Sequence, residues 1–126
     1  MLVTRDGWQC QVTSRTAEFT ARNWLIQANS SGIFRYAAIM ARRLDIKICA
    51  LVHDALLIEA PIDRIEEEAA RATLCLERAS GLFLHGLTLR VDTVIVREGQ
   101  RFPDKRGAKV WAHVERTLKE LASAAA

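Results

Sequence analysis

Residues 46–51 and 56–60 are two short apolar runs, and between them stands Val52-His53-Asp54-Ala55. The first run alternates weakly from Asp45 to Val52 and predicts a strand. Residues 56–60 predict its return strand, ended by Pro61. A two-residue hairpin loop usually takes Asn-Gly, Asp-Gly or Gly-X at its tip. Here the tip holds an imidazole and a carboxylate side by side. That is poor turn chemistry and a good place for a metal-binding acid. A tight turn pushes Asp54 outward, and ladder hydrogen bonds on both sides hold its backbone. Mg²⁺ takes hard oxygen ligands and rewards such rigidity.

The rest of the chain supplies elements to pack against this hairpin. Residues 2–3 and 8–12 flank Asp6-Gly7, a hairpin signal. Trp8, Cys10 and Val12 fall on one face of that second strand. Residues 14–22 are polar and read as a loop. Residues 23–44 read as a helix with a stripe of Ile26, Ser30, Ile33, Phe34, Ala37, Met40, Ala41 and Leu44. Gly32 inside it costs about 1 kcal/mol relative to alanine, and suits a close backbone approach and a plain packing reason equally. After Pro61, the spacing of Ile62, Ile65, Ala69, Ala72, Leu76 and Ala79 predicts an amphipathic helix, with Glu66, Glu67, Glu68 and Arg71 outside. Acids in its first turns suit the helix dipole.

Leu87, Leu89 and Val91 alternate with Thr88, Arg90 and Asp92, predicting a strand that runs on through Val96. A loop over 97–105 leads to Asp104, a candidate cap for a last helix bearing Val110, Trp111, Val114, Leu118 and Leu121. Residues 123–126 are expected to fray. The order is hairpin, helix, strand, strand, helix, strand, helix. This predicts an α+β fold, a mostly antiparallel sheet with helices on one face. The 126 residues fit one domain, 1–126.

Composition narrows the surroundings. Three well-separated cysteines, Cys10, Cys49 and Cys75, form no C-x-x-C pair, which argues against zinc and for a reducing, cytoplasmic setting. No apolar run reaches the roughly 18 residues of a membrane span. The net charge of +3 is a mild basic excess, compatible with a polyanionic partner. Arg15, Arg22, Arg35, Arg42 and Arg43 concentrate it in the first third. They suit a solvated helix face and a phosphate-contacting surface equally.

Asn23-Trp24-Leu25-Ile26-Gln27, a helix, then Leu51-Val52-His53-Asp54-Ala55-Leu56-Leu57-Ile58-Glu59-Ala60-Pro61 resembles the C-terminal part of the palm of family A DNA polymerases, the bacterial DNA polymerase I group. The family pattern is Asn-x-Pro-(Ile/Met)-Gln, a helix, a hydrophobic strand and Val-His-Asp-Glu, with an acid near the end of the return strand. Thr4-Arg5-Asp6-Gly7-Trp8 is similar to the short hairpin before that segment. Asp92-Thr93-Val94-Ile95-Val96 through Trp111 looks like the tail of prophage-type members. The resemblance spans nearly the whole chain.

The resemblance implies a DNA-directed DNA polymerase palm segment. Asp54 matches the family's second metal-binding aspartate, for Mg²⁺, and His53 the histidine that contacts the primer end. Asn23 and Gln27 match polar residues that touch the primer–template, mainly through the minor groove, where contacts test pair shape more than sequence. Arg22 and Arg35 are candidates for phosphate contact on charge alone. Glu59, an odd number of residues from Asp54, falls on the other face of the strand and is not counted as a co-ligand. Two positions depart from the family. Ala55 stands where it has glutamate, and Leu25 where it has proline.

The family's first metal aspartate and its fingers helix lie upstream of the matching segment, and nothing in residues 1–22 matches either. The implied partners are therefore a DNA primer–template, a deoxynucleoside triphosphate and an upstream palm–fingers polypeptide, with inactivity expected alone. The alternatives are a non-catalytic ferredoxin-like binding module and a degenerate prophage relic.

Overall fold

A computed structural model describes residues 1–102 and 106–124. The fold is α+β, with three helices and two small antiparallel sheets of two strands each. The chain divides into two compact units, residues 1–95 and 96–126.

The first unit opens with strands β1 (Leu2–Val3) and β2 (Gln9–Cys10), paired antiparallel. Their turn closes through Thr4 N–H to Trp8 C=O at 2.9 Å and Gly7 N–H to Thr4 C=O at 3.1 Å. Gly7 supplies the positive φ that this turn requires (+89°). Helix α1 (Glu18–Arg43) begins earlier than its apolar stripe suggests, at Glu18 rather than Asn23, and absorbs part of the expected polar loop. Ala17 precedes it with no side-chain cap, so the usual start signal is missing.

The end of α1 is a Schellman turn. Ile46 N–H bonds Ala41 C=O at 3.0 Å and Asp45 N–H bonds Arg42 C=O at 3.1 Å. Asp45 takes the left-handed conformation there (φ +59°). It is thus a helix-ending residue, and strand β3 (Lys47–Val52) starts after it. β3 pairs with β4 (Ala55–Glu59). Pro61 C=O then accepts from Arg64 N–H at 3.0 Å, and helix α2 (Ile65–Phe83) follows. α2 ends in the same way as α1. His85 is left-handed (φ +53°), and Gly86 N–H reaches Gly81 C=O at 2.8 Å.

α1 and α2 pack side by side in opposite directions. Ile33 and Ala37 meet Ala79 and Phe83, while Ala41 meets Ala72 and Cys75. The contact is built from small side chains, so the backbones come close. Gly32 shows how close. A Cβ added there would fall 2.5 Å from Phe83 Cε1. Tyr36 packs edge-on to the same ring at 5.2 Å. The C-terminal half of α1 carries this core, whereas Ile26 and Leu44 of the expected stripe are exposed. On α2, Ile62 lies outside the helix and exposed, and Cys75 is buried.

Glu68 corrects the sequence reading more sharply. It was expected outside, yet it is 5 % exposed. Arg64, one turn before it, and Arg71, less than a turn after, both hold its carboxylate. Arg71 also donates to Leu44 C=O at 2.6 Å, which ties α2 to the end of α1.

The expected strand over 87–96 is not formed. Those residues run without turn or bend, but make no ladder. The sheet is therefore two separate hairpins, and the four paired strands of a ferredoxin-like sheet are not built among the described residues.

The second unit holds helix α3 (Ala108–Ala124). The candidate cap Asp104 lies outside the described residues, as do Ala125 and Ala126. Trp111 Nε1–H donates to Glu115 at 2.8 Å, and Arg101 stacks 3.9 Å over the Trp111 ring. None of the expected apolar residues of α3 is buried.

Candidate functional site

The register of β3 and β4 defines the tip. Leu51 pairs with Leu56 and Val52 with Ala55, leaving His53 and Asp54 as a two-residue loop. His53 has φ +52°. Asp54 is not left-handed, so the positive φ falls at the first central position alone, which usually takes glycine. The chain accepts a strained residue where an unstrained one was available.

The other end of the hairpin is anchored. Ile48 and Ile58 pack against the Ala41, Ile46, Ala72 and Cys75 cluster. A register shift between Ile48 and Ala50 leaves Cys49 without a partner residue, a β-bulge that increases local twist. Lys47 Nζ binds Glu59 Oε1 at 3.0 Å, and Cys49 Sγ lies 3.7 Å from Glu59 Oε2. The Lys47 hydrogen bond holds the Glu59 carboxyl below its ordinary range, and the Cys49 contact adds to it. Glu59 is therefore committed to the base of the hairpin, away from Asp54.

Both tip side chains are exposed. Neither His53 nor Asp54 has a hydrogen-bond or ion-pair partner among the described residues. Asp54 is thus an oxygen donor on an anchored ribbon with no cation of the described residues competing for it. Among the described residues, no three His, Cys, Asp or Glu side chains converge on a common point. Among the described residues, the tip presents one carboxylate.

No family model, curated protein or solved structure matches this chain. The site is therefore read from its own residues.

Asn23 and Gln27 sit one turn apart in the N-terminal half of α1, both exposed. Their amides carry donors and acceptors to the surface on one side of the helix. No hydrogen bond joins them to the hairpin tip among the described residues. Arg22 is exposed and paired with Glu18 on its own helix.

Arg35 has a local role. It binds Asp6 at 2.5 Å and lies 4.4 Å over the Trp8 ring, which fastens the β1–β2 hairpin to α1. Asp6 also accepts from Thr4 Oγ1 at 2.5 Å. That hydrogen bond comes first in holding the Asp6 carboxyl low, a backbone hydrogen bond at Asp6 and then Arg35 add to it, and burial opposes.

Arg5 completes the attachment, and its part was not foreseen. Its guanidinium donates to Phe83 C=O at 3.1 Å, and its N–H to Asn29 Oδ1 at 3.4 Å. The signal for Arg35 was present in the sequence, since an Asp-x-Trp turn offers both an anion and a ring to one guanidinium. Arg5 had no such signal, because its acceptor is a backbone carbonyl far along the chain.

Proposed function

We propose that this chain is the C-terminal palm segment of a family A DNA polymerase, contributing one metal-binding aspartate and primer–template contacts. The observation that carries the reading is the two-residue tip. An Asp54 carboxylate with no partner among the described residues stands beside a strained His53 at the end of an anchored hairpin. The order of elements supports it. A long helix exposing Asn23 and Gln27 precedes the hairpin, and an amphipathic helix follows it.

Asp54 fits Mg²⁺ as a hard, rigidly held oxygen ligand. A two-ion site needs further carboxylates, and in this reading they come from an upstream palm–fingers polypeptide. Bound ions would supply charge neutralisation and a lowered pKa for the primer 3′-hydroxyl, whose attack on the α-phosphorus of the deoxynucleoside triphosphate would break the α–β phosphoanhydride bond and release pyrophosphate. His53, beside the metal ligand, orients the primer end. Asn23 and Gln27 offer amide donors to minor-groove acceptors that every base pair presents. Arg22 is the exposed phosphate candidate, with Glu18 as its resident competitor. Arg35 serves DNA less directly, by holding the first hairpin in place.

The test is reconstitution. The chain is mixed with an upstream palm–fingers polypeptide that is inactive alone, and Mg²⁺-dependent primer extension is measured. The reading expects extension only with both polypeptides present. No extension at any ratio, with both polypeptides folded, contradicts it and favours the degenerate relic.

A further inference from the structure

In residues 87–95 the side-chain pattern and the backbone state disagree. Leu87, Leu89, Val91, Thr93 and Ile95 alternate with Thr88, Arg90, Asp92 and Val94. The segment runs back along α2. Leu89 N–H donates to Ser80 Oγ at 2.9 Å, and the hydroxyls of Thr73 and Thr93 lie 3.0 Å apart. Val91 and Ile95 are half-buried, whereas Arg90, Asp92 and Val94 face outward. Arg90 and Asp92, two residues apart, bind each other at 3.1 Å. Side chains at i and i+2 share a face only in extended backbone. Yet residues 90–96 make no backbone hydrogen bond among the described residues. An alternating segment laid on a helix, with the backbone amides and carbonyls of residues 90–95 unused among the described residues, is an open template for another strand.

The charges choose the strand. Antiparallel pairing of this segment with itself, pivoted at Val91, sets Arg90 opposite Asp92 of the second copy. Two-fold symmetry makes the same pair twice. Leu87 then faces Ile95, Leu89 faces Thr93, and Val91 faces its own counterpart. Pivots at Arg90 or Asp92 would set like charges opposite each other, which is destabilising. We propose that residues 87–95 form an antiparallel ladder with the same segment of a second copy of this chain, in register about Val91. The intrachain Arg90–Asp92 pair becomes part of a four-charge cluster of alternating sign on the outer face.

Sedimentation velocity on the full chain over a concentration series tests this. The expected result is a species of twice the chain mass that dissociates on dilution. Arg90→Asp and Asp92→Arg are each expected to abolish it, since each sets like charges opposite each other. Their side chains are 90 % and 84 % exposed, and an unchanged circular dichroism spectrum checks that the fold survives. An equimolar mixture of the two variants restores both complementary pairs, as does Arg90→Asp with Asp92→Arg in one chain, and both are expected to recover the doubled mass. Three results would each overturn the proposal. They are a wild-type chain that stays monomeric throughout, single variants that associate as the wild type does, and a mixture that stays monomeric.

Discussion

Val52 faces Ala55 across β3 and β4, so the chain reverses in the two residues between them. That pairing presents Asp54 to the surroundings with no side-chain partner among the described residues, and it forces His53 into a left-handed backbone. Left-handed geometry costs a residue bearing Cβ roughly 1–2 kcal/mol.

The tip should therefore be stabilised by a change that removes its chemistry. His53→Gly is expected to raise the unfolding free energy by up to about 1 kcal/mol, after the added freedom of the unfolded chain is subtracted. Asp54→Asn should stay within about 0.5 kcal/mol of wild type, as a surface change that breaks no contact. Urea unfolding measures both. A large loss at Asp54→Asn would assign that carboxylate to holding the fold.

Gly32 is the opposite case, a residue kept for space. Gly32→Ala drives a methyl into the Phe83 ring and should cost about 1–3 kcal/mol despite alanine's better helix propensity. Paired with Phe83→Leu, the loss should be clearly less than the sum of the two single losses, because the variants share one contact. Additive losses would show that the helices separate by some other route.

Glu68 makes stability depend on pH. The Arg64 hydrogen bond is the largest influence on its carboxyl and lowers the pKa. Burial pushes upward, and Arg71 adds to the lowering. Because the folded pKa lies below the unfolded one, the unfolded chain takes up the proton first. The contribution is fully present above the ordinary glutamate range and is lost as pH falls through the depressed value. The urea midpoint should fall with acidification across that window. Glu68→Gln should flatten the dependence and lower the midpoint at neutral pH, where Arg64 and Arg71 lose their shared anion. An unchanged slope in Glu68→Gln would contradict this.

Arg35 separates a structural role from a DNA-binding one. Arg35→Ala should speed amide exchange and proteolysis within residues 1–12 and leave the α1–α2 core protected, because its contacts are to Asp6 and Trp8. Arg35→Lys should rescue little, since an ammonium cannot reproduce both the carboxylate pair and the stacked plane. Weaker DNA binding with normal exchange would make Arg35 a phosphate contact instead.

The parts of the fold legible in the sequence are those set by neighbours in the chain. Alternation on either side of His53-Asp54 was enough to foresee the hairpin and its tip, because period-two patterning and a two-residue loop are local. The start of α1 carries no signal in the sequence, because Ala17 has no capping side chain. The helix end at Asp45 is hidden in the sequence, because an aspartate takes the left-handed position that glycine usually marks. Apolar spacing puts Glu68 outside, because it is blind to a carboxylate neutralised by arginines at neighbouring helical positions. Residues 87–96 carry a strand's pattern, but pairing depends on a second strand, which local patterning does not provide. The placement of Arg5 depends on a backbone carbonyl far along the chain, at Phe83.

The most direct test of the central claim is Asp54→Ala in the reconstituted primer-extension assay, with His53→Ala beside it. If Asp54 holds the ions, extension falls about a hundredfold or more, matching the several kcal/mol that metal-ion stabilisation supplies. His53→Ala then weakens primer use to a smaller degree. Extension that is restored and unaffected by Asp54→Ala would contradict the account.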